Sequence, residues 1–522
     1  MTRRRQMKRS DARSARRHRR GQAAAASAHA VACVCAALAA MPAFAQDGGR
    51  SSSFSTTLDT SLAYVDSRRD PGFIQGSDLT TEVRPGFRYA SRSGRVRGSV
   101  NYGLGLVFHS RGSPSSEAQH QLSANLTGEL VERRAFVDVT ASISKQSLSA
   151  YGQQSIDSNR ADNANLAEVG NLSISPYLSG AIGDIAAYNL RLNAAATNTR
   201  KSIAGDSTST GGSFSLNSTR RGALIGWGLN ASTTTTDFRA GTESTSERAI
   251  ASVNITPDVD WAFTLRAGKE STDIGASQQQ AYSTWGASVR WQPSPRTTAD
   301  IGTDHRFFGR SHNVTLSHRF PLSSIRYSSA RDVTLSANPN GLGQPQTLYQ
   351  LFFDQFASLE PDPILRDQLV LTFLGGQGQD PNATVGGGFI TPGASLQQRH
   401  DFAWNYSARR LTLALQAFAN RSGQIGSTSV TPLGEDVRQR GYNSTLSYRL
   451  TPTASFGING SRLMTKPTSV QSGTDLKSLS LSVTDQLGRR TTGALSARYS
   501  VFNSATNPYR ESAVTASLAM RF

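Results

Sequence analysis

ESAVTASLAMRF, residues 511–522, closes the chain, and its reading decides the fold. Val514, Ala516, Leu518, Met520 and Phe522 share one parity; Ala513, Thr515, Ser517, Ala519 and Arg521 share the other. Successive side chains of a β-strand point to opposite faces, so the segment reads as a strand with one apolar face. Chain ends are ordinarily frayed and polar, whereas this strand pattern runs to a final aromatic residue whose backbone needs a partner. A barrel supplies one, because an open edge in lipid would leave backbone groups unsatisfied and the last strand must pair with the first.

Other segments repeat the alternation. VRGSVNYGLGLVF (96–108) sets Val96, Val100, Tyr102, Leu104, Leu106 and Phe108 against Arg97, Ser99 and Asn101; WGASVRW (285–291) sets Trp285, Ala287, Val289 and Trp291 against Gly286, Ser288 and Arg290. LTLALQAFA (411–419) and YNSTLSYRL (442–450) do the same. The separators are of two kinds. SRSGR (91–95), VERRA (131–135), ITPDVD (255–260), WQPSPRT (291–297), SARRL (407–411), LTPTA (450–454) and DQLGRR (485–490) are short and tight. Stretches 66–78, 109–119, 147–170, 199–211 and 465–474 are longer and polar. The two kinds alternate, as short turns and long loops do on the two rims of bacterial outer-membrane barrels; about ten short turns predict roughly 22 antiparallel strands, within a range of about 18 to 24. A soluble β-helix or stacked sandwiches would also alternate. Against them, all five Trp fall on the apolar parity, two of them beside short turns as in an interfacial girdle, and the other parity is rich in Ser, Thr, Asn and Arg.

The amino terminus reads differently. A basic run, MTRRRQMKRSDARSARRHRRG, leads into QAAAASAHAVACVCAALAAMPAFAQ. Ala43 and Ala45 form the small-x-small pattern of a signal-peptidase site, so residues 1–45 are expected to be a cleaved signal peptide and 46–522 the barrel. A membrane-anchoring amino terminus and a lipoprotein site at Cys33 fit less well, and the twin-arginine flavour of residues 2–8 is discounted because barrels cross the inner membrane unfolded. Without 1–45 the chain carries 45 basic and 36 acidic residues, a balance of +9 in place of +18, and neither Cys33 nor Cys35. Disulfides, Cys metal sites and Cys nucleophiles are thereby excluded.

Residues 338–397 break the rhythm. Leu348, Leu351, Phe352, Phe356 and Leu359 recur at helical spacing, and Ile364 to Leu374 does so again beyond Pro361 and Pro363. This predicts a helical hairpin at about 345–374 on the long-loop side, packed on the barrel rim or folded into the lumen as a plug, as wide barrels often are.

Chemistry is sparse. His305 and His318 share the apolar parity, and His305, His312 and His318 lack metal-ligand spacing. Neither a nucleophile elbow nor a phosphate-binding loop occurs, so no catalytic residue, cofactor or nucleic-acid partner is expected. Charge is the better hint. Arg97, Arg191, Arg266, Arg290, Arg449 and Arg498 fall on the lumen parity, with Asp300 and Asp304 among the fewer acids there. Such a field would favour anionic solutes, unless the arginines are paired with neighbours or with lipid phosphates.

TTEVRPGFRYASRSGRVRGSVNY (80–102), QHQLSANLTGELVERRAFVDVTASISKQSLSAYG (119–152), SISPYLSG (173–180), WQPSPRTTADIGTDHRFFGRSHNVTLSHRF (291–320) and the insert with PDPILRDQLVLTFL resemble the PEP-CTERM system-associated outer-membrane proteins. The resemblance runs through most of the mature chain and is most specific over 291–320. It implies an outer-membrane barrel associated with polysaccharide or protein export and offers no catalytic residues; together with the wide barrel and the basic lumen it leads to the expectation of a non-enzymatic pore or accessory in exopolysaccharide export, with an anionic polysaccharide or export-complex proteins as partners. The alternative is a structural or anchoring barrel with a closed lumen. Outer-membrane lipid is the expected surround. The stripe Val514, Ala516, Leu518, Met520 and Phe522 resembles the signal read by the barrel-assembly machinery.

Overall fold

The computed structural model describes residues 52–522 apart from 70–74, 92–93, 111–115, 157–158, 160–162, 201, 203–204, 220–223, 242, 275–277, 426–435 and most of 336–392. The expected signal peptide, with Ala43 and Ala45, lies outside the described residues.

The strands are β1 (Ser52–Arg69), β2 (Gln75–Ser91), β3 (Val96–His109), β4 (Ser116–Val131), β5 (Ala135–Ser147), β6 (Leu166–Ile182) and β7 (Ala186–Thr199). Next come β8 (Ser207–Ser218), β9 (Ile225–Phe238), β10 (Glu243–Ile255), β11 (Trp261–Thr272), β12 (Gln280–Ser294), β13 (Thr297–Arg306), β14 (Gly309–Arg319) and β15 (Ser323–Thr334). The last are β16 (Ser395–Ser407), β17 (Leu411–Gln424), β18 (Val437–Arg449), β19 (Ala454–Thr465), β20 (Thr474–Gly488), β21 (Thr491–Asn503) and β22 (Tyr509–Arg521). Each pairs antiparallel with its neighbours in sequence, and β1 pairs with β22 from Thr57↔Arg521 to Arg69↔Tyr509. The Phe522 amide donates to the Thr56 carbonyl at 2.8 Å, so the ladder continues to the last residue. The sheet is a closed barrel of 22 strands.

Tight turns join the strands at one rim. VERRA holds Arg133 at φ 56°, a left-handed position that a non-glycine residue adopts at some cost; the Glu129 carboxylate accepts the Arg133 amide at 2.6 Å and offsets it. Near the same rim Gly98 has φ 131°, and a Cβ there would sit 2.0 Å from the Asn125 carbonyl, so only glycine lets β3 and β4 approach. At the other rim the strands extend further than their composition predicts. β1 continues to Arg69, β6 begins at Leu166 and β8 at Ser207, inside stretches expected to be loops. A membrane crossing needs only about 9–11 residues, so the extra length projects beyond it. Polar side chains do not prevent this, because the ladder bonds are backbone bonds.

The outer wall is apolar. Leu62, Tyr64, Leu190, Leu192, Leu229, Leu265, Leu481, Leu495 and Val514 are exposed, far more apolar surface than a soluble monomer tolerates. Near the short turns Trp261 stacks on Trp291, their centroids 5.7 Å apart, and Trp404 stacks on Tyr406. A closed barrel with an apolar belt and an aromatic girdle spans a bilayer. The protein is a β-barrel of the bacterial outer membrane.

Candidate functional site

The inner wall carries the residues that could act on a solute. Its parity follows from the outer one: Thr412, Ala414, Gln416, Phe418, Asn420 and Ser422 of β17 face inward because Leu411, Leu413 and Leu415 face outward, and the ladder transmits that assignment around the barrel.

The inner wall is uneven. On β7–β9, Asn193, Asn217, Asn230 and Ser232 are exposed. On β15–β20, Ser324, Asn405, Ala414, Thr445, Ser482 and Thr484 are buried, Thr445 to 1% exposure. An empty lumen as wide as that of 22 strands would leave Ala414 wet, so polypeptide lies against this part of the wall; nearer the long-loop rim, the inward Thr236 and Phe238 of β9 are buried as well.

Two segments from the long-loop rim occupy the lumen. From the insert, Tyr349, Phe352, Phe353, Phe356, Arg366, Val370 and Leu374 are described, helical in backbone at all but Phe356, which sits in a 3₁₀ turn. The remainder of the hairpin expected at 345–374 lies outside the described residues. Phe352, Phe356, Val370 and Leu374 are buried together with Ala414 of β17. Since Ala414 faces inward, these side chains pack inside the barrel and not on its rim.

The second segment is the β5–β6 connection, here the strap. It leaves one side of the barrel and is held by β18–β22. The Thr465 hydroxyl donates to the Ala150 carbonyl at 3.2 Å, and the buried Tyr509 hydroxyl donates to the Gln154 carbonyl at 2.8 Å. Ile156 packs on Leu463, Leu476, Phe502 and Tyr509, four buried inward side chains from four consecutive strands. On β2, Glu82 accepts a hydrogen bond from Asn159 at 2.8 Å. Ser147, at the root of the strap, bridges Phe389 from the end of the insert, and Phe389 is buried with Ala150 and Val437.

The charged residues on the lumen parity are mostly paired. Arg191 binds Asp138 at 2.7 Å, Arg266 binds Asp304 at 3.0 Å, Arg290 meets Asp300 at 3.7 Å and Arg498 binds Glu511 at 2.7 Å. Arg97 and Arg449 make no ion pair among the described residues. Several inward pairs were not anticipated from sequence: Arg306 bridges Glu270, which is fully buried, and the partly exposed Asp332, and Arg399 binds Asp401. Isolated charges beside a low-dielectric wall are costly, and acids one or two strands away, or on the same strand, offset them, which flattens the field that a row of arginines would otherwise focus. The outward placement of His305 and His318 matches their parity, His305 stacking on Trp285, and no metal-binding group of His, Cys, Asp and Glu occurs among the described residues.

The strap and the plug left one mark in the sequence. Phe418, Leu463, Leu476, Phe502 and Tyr509 are large apolar side chains on the polar parity of successive strands, where a watery lumen would call for Ser or Asn.

No protein-family model and no curated protein matches the sequence. Among solved structures, the apoprotein form of the FrpB iron transporter of Neisseria meningitidis aligns at 10% identity and a TM-score of 0.48, over 90% of this chain and 81% of that one. The siderophore receptor PirA of Pseudomonas aeruginosa aligns at 9% and 0.41, over 89% and 80%. OccK5 (OpdH) of the same organism aligns at 10% and 0.32, over 90% and 98%. Superpositions this loose at such identities say nothing about a shared cargo.

Proposed function

We propose that the protein is a non-enzymatic, gated conduit through the outer membrane, serving the export of an exopolysaccharide. The observation that carries this is the uneven lumen: one arc is sealed by the strap and the insert, the other is an exposed wall of Asn and Ser, whose amides and hydroxyls suit the hydroxyls of a sugar polymer. The gate is held by hydrogen bonds and a small apolar cluster, contacts that can be released without unfolding the barrel. The PEP-CTERM-associated resemblance supports polysaccharide as the cargo and export-complex proteins as partners on the short-turn side, and the apolar stripe ending in Phe522 supports the barrel-assembly machinery as its reader. Deleting the gene tests it: surface polysaccharide falls and the polymer accumulates in the periplasm. Unchanged amount and location would overturn the proposal.

The hold on the strap favours a second reading, a permanently closed barrel that anchors surface matrix or a partner protein. Cross-linking from the long loops discriminates, because an anchor retains a stable partner there and a conduit does not.

A further inference from the structure

One cluster on the inner wall is absorbed by neither the gate nor the paired charges. It lies near the short-turn mouth on β3–β7, beside the exposed arc. Phe136 of β5 stacks on Tyr177 of β6, centroids 5.1 Å apart and planes at 18°. On β7, the Arg191 guanidinium sits 4.2 Å from the Tyr177 ring centroid and is held there by Asp138, which also accepts the Thr127 hydroxyl at 2.8 Å. Ser175 donates to Asn193 at 2.8 Å next in the row. Tyr177 is thus filled from both sides, while Phe136, across the ladder from Glu129, meets no second ring or cation among the described residues and remains partly exposed. Arg97 of β3 is aligned through Thr127 with Asp138; it is exposed and has no ion-pair partner among the described residues.

Apolar rings stand out on this wall. The other large inward aromatics of the described strands, Phe238, Tyr282, Phe418, Phe502 and Tyr509, lie toward the long-loop rim, Phe238, Phe502 and Tyr509 among them buried. An aromatic face in a wet, polar wall costs apolar exposure unless something apolar covers it, and the C–H face of a pyranose ring is such a cover. Glu129, the cross-strand neighbour of Phe136, is engaged by the Arg133 amide at 2.6 Å, and a guanidinium with no ion-pair partner among the described residues completes the recognition of an acidic sugar, since guanidinium matches a carboxylate bidentately.

We infer that Phe136 and Arg97 form a binding subsite for a uronic-acid unit of a polysaccharide at the short-turn mouth of the lumen, with Tyr177 and Arg191 as the stack that keeps the Phe136 ring upright. This rests on the conduit reading and supplies its entry point. The β7–β9 wall of Asn193, Asn217 and Asn230 then continues the track inward.

The test is titration calorimetry of the folded full-length barrel with a hexamer of a uronic acid, and with a neutral glucan hexamer as comparison. Phe136→Leu and Arg97→Gln each weaken uronate binding about tenfold or more. The neutral hexamer binds more weakly than the acidic one to the unmodified protein and equally to Arg97→Gln. Heat-modifiable mobility establishes that each variant is folded, and Arg97, being exposed, is expected to fold in any case. Wild-type binding in both Phe136→Leu and Arg97→Gln, or no preference for the acidic hexamer, overturns the subsite. Single-channel recording separates this from the conduit reading: a barrel that binds uronate but never conducts keeps the subsite and loses the conduit, and one that conducts without binding does the reverse.

Discussion

The two arcs of the inner wall share one backbone geometry and one repertoire of small polar side chains, yet they meet different surroundings. On β7–β9 the wall is Asn193, Asn217, Asn230 and Ser232, open to the lumen. On β15–β20 it is Ser324, Asn405, Thr445, Ser482 and Thr484, buried under polypeptide. Alternation within a strand therefore reports which side faces away from lipid, and stops there. What an inward side chain touches is decided by segments tens or hundreds of residues away, such as the insert on Ala414 and the strap on Tyr509.

The largest expected effect comes from removing the cover. Deleting residues 345–374 strips Phe352, Phe356, Val370 and Leu374 from Ala414. Large stable openings are expected in a planar bilayer that the full chain lacks, on the order of a tenfold rise in conductance, since a 22-stranded barrel is otherwise wide enough for an aqueous channel. Equal conductance of both forms would break the contrast between the arcs.

Thiol labelling follows. The chain beyond residue 45 is free of cysteine, so single replacements can be read cleanly. With a membrane-impermeant maleimide, Asn230→Cys should react at least ~10-fold faster than Thr445→Cys, because reaction requires an accessible thiolate. Similar rates would show that the covered arc is wet.

Arg306→Gln probes the wall between the arcs. It removes the bridge from fully buried Glu270 to the partly exposed Asp332, and leaving the Glu270 carboxylate uncompensated costs about 3–5 kcal/mol, measurable as a lower urea midpoint of the refolded barrel. Outside, the arcs should be equal. Leu229→Lys and Leu481→Lys, both on exposed outward positions, should each cost about 2–4 kcal/mol if near the bilayer midplane, whereas inward Asn230→Lys should cost little and inward Thr445→Lys much. The smallest effect is Tyr509→Phe. Losing the hydroxyl on the Gln154 carbonyl loosens the strap by about 1 kcal/mol, read as roughly fivefold more frequent brief openings with unchanged open conductance.

Much of the barrel was legible. The terminal stripe from Val514 to Phe522 anticipated the pairing that ends with the Phe522 amide on Thr56, and the count of short turns led to 22 strands. The lumen parity of Arg191, Arg266, Arg290, Arg498, Asp300 and Asp304 was readable too. Their pairing was not wholly so: Arg290 with Asp300 are neighbours across β12 and β13, but Asp138 reaches Arg191 from two strands away and Arg266 reaches Asp304 likewise. An inventory of arginines therefore overstated the field of the lumen.

By itself the sequence determined the membrane, the two faces of every strand and the alternation of short turns with long loops, because each follows from a period-two pattern set by local stereochemistry and by the contrast between lipid and water. Only the tertiary structure decided which loops fold inward, which arc they cover and which arginines keep an uncompensated charge. Those depend on closure of the sheet, which brings β5 and β6 within reach of β18–β22 across the lumen and lets Ile156 settle among Leu463, Leu476, Phe502 and Tyr509.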